Sequence, residues 1–485
     1  SKFVFILTAI LVLSNNFLIT QILEFQKKPK NIILMIADGW GFNQKIVVNY
    51  YVDGFAKSQK YDYFPISLAM ATYPALSGNY NPDSLKNKLS WKTGYNPGLI
   101  WGEFKNAKLN YTESAASGTA LATGVKTYNN AIGVDIHRKP LWNISQQAKK
   151  IKKSVGLITS VPISHATPAA FSSHNSYRVN YSQIAREQII DTQIDVLMGA
   201  GHPDFDDNGD STNDKVYKFV GDSATWFDLK SNKTIYSLRS PSNNNTVKDV
   251  DFDGKPDAWT LIENIDSFNE LIISKTPPKR VLGVAQVAST LQQNRRYDSA
   301  KSNPFEMPFN KNVPSLEVMT KAALNVLNSN PNGFFLMVEG GAIDWANHSN
   351  QFERLIEECI DFNNSVDYVI NWIEKNGGWE QNLLVVTTDH ETGYITGSKD
   401  KDNSPISNPI GNNGKNILPE ARYNSDDHTN MLVPIYANGV GSELFRLFAD
   451  EHDPIRGSFI QNSEVGQVFF LRSEEHTSEL QSPNT

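Results

Sequence analysis

The sequence predicts an α/β protein with a mostly parallel central sheet sandwiched by helices and with polar insertions between the elements. Three observations support this fold class. Short apolar runs, typical of strands buried on both faces, recur along the 485 residues. Segments with apolar residues at helical spacing lie between some of these runs. Several runs also end at acidic residues, and the carboxyl ends of such strands are where ligands bind.

Six runs are predicted to be buried strands. They cover residues 31–38, 155–159, 195–198, 334–338, 383–387 and 432–437. Helices are predicted for residues 142–153, 316–328 and 351–375. The longest helix carries apolar side chains at helical spacing from Phe352 to Ile373, which indicates one buried face. Strands that alternate with helices favour parallel pairing, with helices on both faces of the sheet.

The central part of the chain, residues 29–471, is predicted to form one large domain. Two stretches near residues 203–280 and 397–427 are rich in Asp, Asn, Ser and Lys and show little periodicity, so we expect them to be insertions. The second stretch ends just before His428.

Both ends of the chain have a distinct composition. Residues 1–28 contain Lys2 followed by a short apolar run, which predicts a secretory signal peptide or an N-terminal membrane anchor. We therefore expect the body of the protein to be periplasmic or secreted. Val468–Leu471 is predicted to be a strand, and the polar residues 472–485 resemble translated cloning or adapter DNA, a non-native tail.

The composition excludes several classes of protein. With 40% hydrophobic and 11% aromatic residues, the chain is globular and not disordered. A net charge of −7 argues against nucleic-acid binding as a function, because the phosphate backbone requires a basic surface. The single cysteine, Cys359, allows neither an intrachain disulfide nor a thiolate metal cluster. Any metal must therefore be held by His, Asp, Glu and hydroxyl groups.

Residues 111–124 contain almost only small and hydroxyl side chains after Tyr111. The alanine-rich run is suited to a helix, and Ser114 would lie in its first turn. Unpaired N–H groups and the helix dipole favour an anion at that position. A tightly packed helix start without a ligand remains the alternative for this stretch taken alone.

Three predicted strands end at acidic residues, namely Asp38, Glu339 and the pair Asp389 and His390. Because the carboxyl ends of parallel strands meet at one edge of a sheet, we expect these side chains to converge. At an irregular strand end, Asp389 and His390 can both turn onto one metal ion.

A second group of possible metal ligands comes from a predicted helix. Asp344 and His348 are four residues apart, so one helical turn places both on one face. With His428 they would supply three ligands and leave a fourth position open, the arrangement of a catalytic zinc.

A possible calcium loop lies in the first insertion, where acids alternate before Gly254. Its candidate ligands are Asp249, Asp251, Asp253 and Asp257. The glutamate expected at the twelfth position is Thr260, and a solvated polar loop is the alternative. Residues 204–209 are a weaker version of the same pattern.

Motifs spread along the chain resemble those of the alkaline phosphatases, in the same order and with the same spacing, from about residue 31 to about residue 440. They are Ile36-Ala37-Asp38-Gly39, Glu113-Ser114-Ala115-Ala116-Ser117, Thr123-Gly124-Val125-Lys126-Thr127-Tyr128, His165-Ala166-Thr167-Pro168-Ala169-Ala170, Glu339-Gly340-Gly341-Ala342-Ile343-Asp344, Thr388-Asp389-His390 and His428-Thr429.

This resemblance implies two zinc sites, a third site that usually holds magnesium, and an arginine that binds phosphate. The implied ligands are Asp344, His348 and His428 for one zinc, Asp38, Asp389, His390 and Ser114 for the other, and Asp38, Thr167 and Glu339 for magnesium, with Arg178 as the arginine. It also implies hydrolysis of small phosphate monoesters through a phosphoserine on Ser114, and a homodimer.

The chain departs from the pattern of many family members at three positions. Glu113 stands where many members have Asp, and His165 and Trp345 replace the Asp and Lys of some bacterial members. The last two resemble marine and cold-adapted enzymes. Because glutamate is longer than aspartate, Glu113 is expected to hold Arg178 differently. The absence of a cation at Trp345 is expected to weaken phosphate binding.

Two other functions are alternatives for this sequence. A superfamily phosphodiesterase or sulfatase would share the fold or the two-zinc core, but Thr167 and Glu339 together with Arg178 favour monoesters. A secreted binding protein without activity is disfavoured because the nucleophile and every expected ligand are present.

Overall fold

The computed structural model describes residues 27–79, 89–90, 92–231, 248–398 and 408–473. Its strands, numbered along the chain, are β1 (Asn31–Ile36), β2 (Ile66–Ala71), β3 (Leu76–Asn79), β4 (Tyr128–Asn129), β5 (Ser154–Pro162), β6 (Val196–Ala200), β7 (Thr260–Ile262), β8 (Val281–Val284), β9 (Phe334–Glu339), β10 (Asn382–Thr387), β11 (Glu391–Thr392), β12 (His428–Thr429), β13 (Val433–Gly439), β14 (Glu451–Asp453) and β15 (Gly457–Gln461).

The helices lie between these strands. They are α1 (Phe42–Asp53), α2 (Pro97–Ile100), α3 (Phe104–Ala107), α4 (Ser114–Thr123), α5 (Ile144–Lys150), α6 (Ala166–Ala170), α7 (Tyr181–Arg186), α8 (Ser223–Lys230), α9 (Ile265–Ile273), α10 (Leu316–Leu327), α11 (Ala342–His348), α12 (Phe352–Lys375), α13 (Leu444–Phe448) and α14 (Asn462–Ser473). Short 3-10 or π segments cover Lys60–Tyr63, Glu187–Asp191 and Tyr217–Val220.

An eleven-stranded sheet forms the centre of the protein, in the order β14-β15-β2-β13-β10-β1-β9-β5-β6-β8-β7. All neighbours from β10 to β7 are parallel. On the other side, β13 is antiparallel to β10 and to β2, and β14 is antiparallel to β15. The predicted α/β class with a mostly parallel sheet is therefore confirmed.

Both faces of the sheet are buried, as the continuous apolar runs predicted. In β1, Ile33 and Met35 face one hydrophobic core, which also contains Leu355 of α12. Leu34 lies between them in sequence and faces a second core, which also contains Leu121 of α4. Because both faces are covered by helices, β1 has no polar alternation.

The predicted helices and strands are largely confirmed, with one element wrong. Val468–Leu471 was expected to be a strand but lies inside α14, where Val468 and Phe469 are buried. Four apolar residues cannot distinguish a strand from a helix face by periodicity. The predicted boundary of the tail at 472 also falls within this helix, since Arg472 is buried and donates to Glu443. The run at 432–437 is a strand, β13, but an antiparallel one.

Part of the first predicted insertion contributes to the sheet. Between residues 203 and 280 the chain forms α8, β7 and α9, and β7 pairs in parallel with β8 at the sheet edge. Within 408–427 the structure has no named helix or strand. Residues 1–26 of the predicted leader, 232–247, 399–407 and 474–485 lie outside the described residues. Across the described ranges, none of the helices combines the length and apolarity that membrane crossing requires.

Candidate active site

The site begins at the N-terminus of α4, whose first residue is Ser114. The predicted helix start is confirmed, and every residue of this helix is buried. Small side chains are needed because α6 packs directly against it. A Cβ added at Gly118 would lie 3.2 Å from the Cβ of Ala170 and 3.6 Å from the Cα of Thr167. The helix therefore holds Ser114 close to α6, which carries Thr167.

The hydroxyl of Ser114 is buried between two predicted metal ligands. Its Oγ lies 3.3 Å from Asp38 Oδ2 and 3.2 Å from His390 Nε2. The residue is only 2% exposed. Asp38 follows β1 and His390 follows β10, so the sheet edge brings both to the start of α4.

Glu113 is the N-cap of α4. Its carboxylate accepts hydrogen bonds from the N–H groups of Ala115 (2.9 Å) and Ala116 (2.8 Å), and from Asn130 N (2.7 Å). It also pairs with Arg178 Nη1. Burial alone would raise the pKa of Glu113, but Arg178 and the three N–H donors hold it below its ordinary value.

This cap changes the expectation for the helix terminus. The sequence suggested that free N–H groups of the first turn would favour an anion, but those of Ala115 and Ala116 are already bonded to Glu113. The positive group available to an anion is instead Arg178, whose side chain is 15% exposed. Glu113 thus connects the helix that bears Ser114 to the arginine.

Asp344, His348 and His428 converge as predicted, with the first two at the start and end of α11. His348 Nε2 lies 3.2 Å from Asp344 Oδ2, and His428 Nε2 lies 3.5 Å from Asp344 Oδ1. Burial lowers the pKa of His348, but the Asp344 carboxylate outweighs burial and raises it to about 9. The negative potential that stabilises an imidazolium there also attracts a metal cation.

Asp38, Asp389 and His390 form a second group. His390 Nε2 lies 3.4 Å from Asp38 Oδ1 and 3.1 Å from Asp389 Oδ2. Both of these carboxylate oxygens are buried and have no hydrogen-bond partner within the described part of the chain. Buried carboxylate oxygens without hydrogen-bond partners, beside an imidazole nitrogen, are ligands that suit zinc.

Glu339 and Thr167 mark the predicted third position. Glu339 Oε1 and Thr167 Oγ1 are both buried without a hydrogen-bond partner among the described residues. The other oxygen of Glu339 accepts a hydrogen bond from Thr159. Carboxylate and hydroxyl oxygens are the ligands that magnesium prefers.

The carboxylates of this region repel one another. Burial raises the pKa of Glu339 to about 7 and that of Asp389 to about 6, and burial together with neighbouring carboxylates raises that of Asp38 well above its ordinary value. The ion pairs recorded for Asp38, Asp344 and Asp389 all involve histidines. So many buried acids require added positive charge, and the described residues therefore fit divalent cations.

Aromatic rings flank the site beside Arg178. The ring of His165 lies 5.6 Å from that of Trp345 and is stacked at 6.1 Å on Tyr181. Burial, and secondly the charge of Arg178, lower the pKa of His165 to about 3, so its imidazole is neutral. His165 Nε2 lies 3.5 Å from Arg178 Nη2. His165 therefore lies beside Arg178, and Trp345 lies beside His165.

A cavity of about 330 Å³ opens onto these groups. Its lining consists of Ser114, His165, Arg178, Gln293, Asn294, Asp344, Trp345, His348, Ser349 and His428. A larger cavity of about 500 Å³ lies elsewhere, between Trp142 and Phe252, so size does not identify the site. The site is identified instead by the convergence of a hydroxyl, an arginine and candidate metal ligands.

Sequence reasoning missed several residues of this site. Thr392 Oγ1 donates to Asp344 Oδ1 (2.5 Å) and lies 3.3 Å from His390 Nδ1, so it orients one residue of each group of candidate ligands. Its position two residues after His390 was the only signal available. Gln293 and Asn294 belong to an irregular segment, where the sequence shows no pattern that would predict a site residue.

The predicted calcium loop does bring acids together. Asp249, Asp251 and Asp257 have carboxylate oxygens within 4.8 Å of one another. Lys279 Nζ lies 2.5 Å from Asp251, 2.7 Å from Asp253 and 3.5 Å from Asp257. An ammonium group therefore already supplies positive charge at this loop.

Comparison with known proteins decides the family. The model of the alkaline phosphatase family matches residues 29–479. The chain belongs to the alkaline phosphatase family. Alkaline phosphatase 4 of Bacillus subtilis is 35% identical over 294 residues, 59% of this chain and 50% of that protein. Alkaline phosphatase H of Pseudomonas aeruginosa is 29% identical over 448 residues, 85% of this chain and 81% of that protein. This chain thus spans about half the length of the Bacillus relative.

Solved alkaline phosphatase structures share the fold. The cold-active enzyme of the psychrophile Shewanella sp. superposes with a TM-score of 0.61 at 22% identity, over 92% of this chain and 100% of that one. The alkaline phosphatase of the Antarctic bacterium TAB5 gives a TM-score of 0.59 at 22% identity, over 92% and 99%.

Proposed function

We propose that this alkaline phosphatase-family protein is a hydrolase that cleaves small phosphate monoesters through a phosphoserine formed on Ser114. The observation that carries the proposal is the position of Ser114 Oγ, 3.3 Å from Asp38 and 3.2 Å from His390 in a cavity that Arg178 also lines. A serine needs such surroundings to act as a nucleophile at neutral pH.

The three donor groups would hold three metal ions. Asp344, His348 and His428 suit one zinc, Asp38, Asp389, His390 and Ser114 a second, and Asp38, Thr167 and Glu339 a magnesium. When bound, these ions supply positive charge for the phosphate and lower the pKa of hydroxyl groups near them. In a variant of the TAB5 alkaline phosphatase, magnesium is bound in the M3 site, which supports magnesium for the third position.

The residues of the chain then have distinct tasks. Arg178, held by Glu113, presents its planar guanidinium to two phosphate oxygens. The proton of Ser114 Oγ, which is directed at Asp38 Oδ2, passes to solvent water and from there to the leaving alcohol, while Oγ attacks phosphorus in line with the ester oxygen. The bond from Oγ to phosphorus forms while the bond to the ester oxygen breaks, and the alcohol leaves with a proton. Water then attacks the phosphoserine, which releases phosphate and restores Ser114.

Substrate competition and one variant test this proposal. After chelation and repletion with zinc and magnesium, we expect p-nitrophenyl phosphate to be hydrolysed faster than bis-p-nitrophenyl phosphate or p-nitrophenyl sulfate. Ser114→Ala should lose this activity, and Ser117→Ala, a serine of the same helix, is the matched control for expression and folding. A diester or sulfate preference, or full activity in Ser114→Ala, would contradict the proposal.

The remaining expectations concern location, assembly and calcium. We propose that the protein is periplasmic or secreted and that it is a homodimer, as the family resemblance implies. Calcium binding at the loop of Asp249 and Asp257 stays a prediction, and calcium would have to displace Lys279 from it. Calorimetric titration of the wild type and Lys279→Ala with calcium measures that competition.

A further inference from the structure

Asn294 lies at the mouth of the cavity that contains Ser114 and Arg178. It belongs to an irregular segment between β8 and α10, and its side chain is exposed. None of the tasks proposed above uses it. An exposed polar side chain that lines a catalytic cavity is placed to contact the part of the substrate that extends outwards from the phosphate.

The orientation of this amide is fixed by its partners. Asn294 Nδ2 donates to Asp207 Oδ2 at 2.7 Å and to Ser289 Oγ at 3.1 Å. A carboxylate can only accept hydrogen bonds, so the NH₂ group of the amide must face Asp207. The amide oxygen, Oδ1, then has no hydrogen-bond partner among the described residues and remains available as an acceptor.

The surrounding segment is held firmly. Asp207 Oδ1 also accepts from the backbone N–H of Ser289 at 3.0 Å, and Asn208 Oδ1 accepts from Arg296 N at 2.8 Å. These two residues belong to the acid-rich stretch 204–209 that weakly resembled a calcium loop. In the structure, Asp207 and Asn208 bind the segment of Asn294.

The residue after Asn294 is fixed from the opposite side. The guanidinium of Arg295 is 1% exposed, pairs with Glu357 Oε2 at 2.9 Å and donates to the carbonyl oxygen of Pro308 at 2.9 Å. Asn294 is thus held between two anchored neighbours although it lies outside helices and strands. Such pre-organisation reduces the entropy lost when a ligand binds.

We propose that Asn294 Oδ1 accepts a hydrogen bond from the alcohol portion of the substrate, so that the site prefers phosphate monoesters whose alcohol carries a further donor, a hydroxyl or an ammonium group. Asp207 is the positioning residue that aims this acceptor. The proposal rests on the proposed function, and it names the substrate class of the same site.

Matched pairs of substrates test it. The probes are n-alkyl phosphates and ω-hydroxyalkyl phosphates of equal chain length, and lengths of about two to five carbons let the hydroxyl reach different depths of the cavity. The quantity measured is the ratio of kcat/KM for the hydroxylated ester to kcat/KM for the plain ester. Because both substrates meet the same enzyme preparation, this ratio is insensitive to partial unfolding or incomplete metal loading.

In the wild type we expect the ratio to exceed that of Asn294→Ala by about 2- to 12-fold for at least one chain length, the size of one uncharged hydrogen bond. The inductive effect of the hydroxyl on the leaving group is the same in both proteins and cancels. Asp207→Ala should lower the ratio towards that of Asn294→Ala, because the amide loses its anchor. Asn303→Ala, an exposed asparagine of the same irregular stretch that bonds only Glu306, should leave it unchanged.

The outcomes separate the two proposals. If neither ester is hydrolysed after metal repletion, the proposed function itself fails. If both are hydrolysed and Asn294→Ala leaves the ratio unchanged at every chain length, the role of Asn294 is overturned. If Asn294→Ala lowers the ratio but Asp207→Ala does not, the positioning role of Asp207 is overturned.

Discussion

The Nε2 atoms of His348 and His428 lie 3.0 Å apart and face each other. The Nδ1 of each ring is directed at a backbone carbonyl, that of Asp426 at 2.6 Å and that of Thr112 at 3.0 Å. A carbonyl only accepts hydrogen bonds, so Nδ1 carries the hydrogen in the neutral ring and the Nε2 lone pairs converge. Carbonyl groups that accept from Nδ1 fix the tautomer and orientation of each ring, which leaves Nε2 ready to bind a metal.

Metal removal should therefore destabilise the protein, and increasingly so as the pH rises. The folded-state pKa values of Glu339 (about 7) and Asp389 (about 6) lie above their ordinary values of 4.5 and 3.8. Between those values the folded, metal-free chain holds protons that the unfolded chain releases, so its stability falls as pH rises. We expect the Tm of chelated protein to fall between about pH 4 and pH 7.

Differential scanning calorimetry of chelated and metal-loaded protein checks this expectation. In the loaded protein, the cations balance the carboxylates and the Tm should change little over the same range. Parallel profiles for the two forms would show that these acids are not the metal ligands. Zinc and magnesium together should restore the Tm of the chelated form.

Glu113 should influence both stability and catalysis, because one carboxylate caps α4 and holds Arg178. Glu113→Gln removes the charge, and loss of the cap should cost about 1 kcal/mol of unfolding free energy. Because the guanidinium of Arg178 then loses its orientation, kcat/KM should fall by about 10- to 100-fold. Glu113→Asp should be intermediate, since aspartate still caps a helix but reaches less far towards Arg178.

Urea unfolding and steady-state kinetics measure the two effects separately. Asn143→Ala is the matched control, because Asn143 caps α5 through Gln146 N and does not line the active-site cavity. It should cost similar stability and leave kcat/KM unchanged. Equal kcat/KM in Glu113→Gln and the wild type would exclude the orienting role.

Trp345 should set how tightly the product phosphate binds. The family resemblance implies a lysine at this position in some bacterial members, and the centroid of the Trp345 ring lies 5.6 Å from that of His165. Trp345→Lys adds a cation beside the cavity, so we expect inorganic phosphate to inhibit about tenfold more strongly, the size of a hydrogen bond to a charged group. Turnover should slow if release limits it.

Product-inhibition kinetics test this, with Trp345→Phe as the control that keeps an aromatic ring without the charge. Phosphate should inhibit Trp345→Phe about as strongly as the wild type. Unchanged inhibition in Trp345→Lys would refute the role assigned to this position.

Much of the fold was predictable because buried parallel strands leave a direct trace in sequence. The run ending at Asp38 and the run ending at Glu339 became the adjacent strands β1 and β9, and the two acids are close enough for the charge of Glu339 to raise the pKa of Asp38. The helical turn from Asp344 to His348 was predictable for the same reason, a fixed period. The antiparallel direction of β13 was not, since an apolar run has no polarity.

The parts of the site that escaped prediction depend on irregular backbone. The double role of Glu113 follows from where Asn130 and Arg178 are brought by loops, and loops have no period. Asn294 and Asp207 are 87 residues apart in sequence, and only the folded chain shows that they bind each other. Local patterns thus reveal ligands on strand ends and helix faces, whereas contacts between loops require the structure.

Glu358 should make the protein less stable at alkaline pH. It is 6% exposed, its Oε1 has no hydrogen-bond partner in the described chain, and burial, with Asp361 and Glu357 adding to it, raises its pKa to about 8. Between its ordinary value of 4.5 and about 8, the folded protein holds a proton that the unfolded chain releases. The free energy of unfolding therefore falls as pH rises through this window, and the decrease is complete above about pH 8.

Glu358→Gln removes this titration while keeping the shape of the side chain. Each unit of pKa difference corresponds to about 1.4 kcal/mol, so the variant should be more stable than the wild type by a few kcal/mol at about pH 9 and similar to it at about pH 4.5. Urea unfolding of metal-loaded protein at both pH values measures this. Glu374→Gln, an exposed glutamate of the same helix, should show no such difference. An equal effect of Glu358→Gln at both pH values would mean that Glu358 is ionised in the folded protein throughout this range.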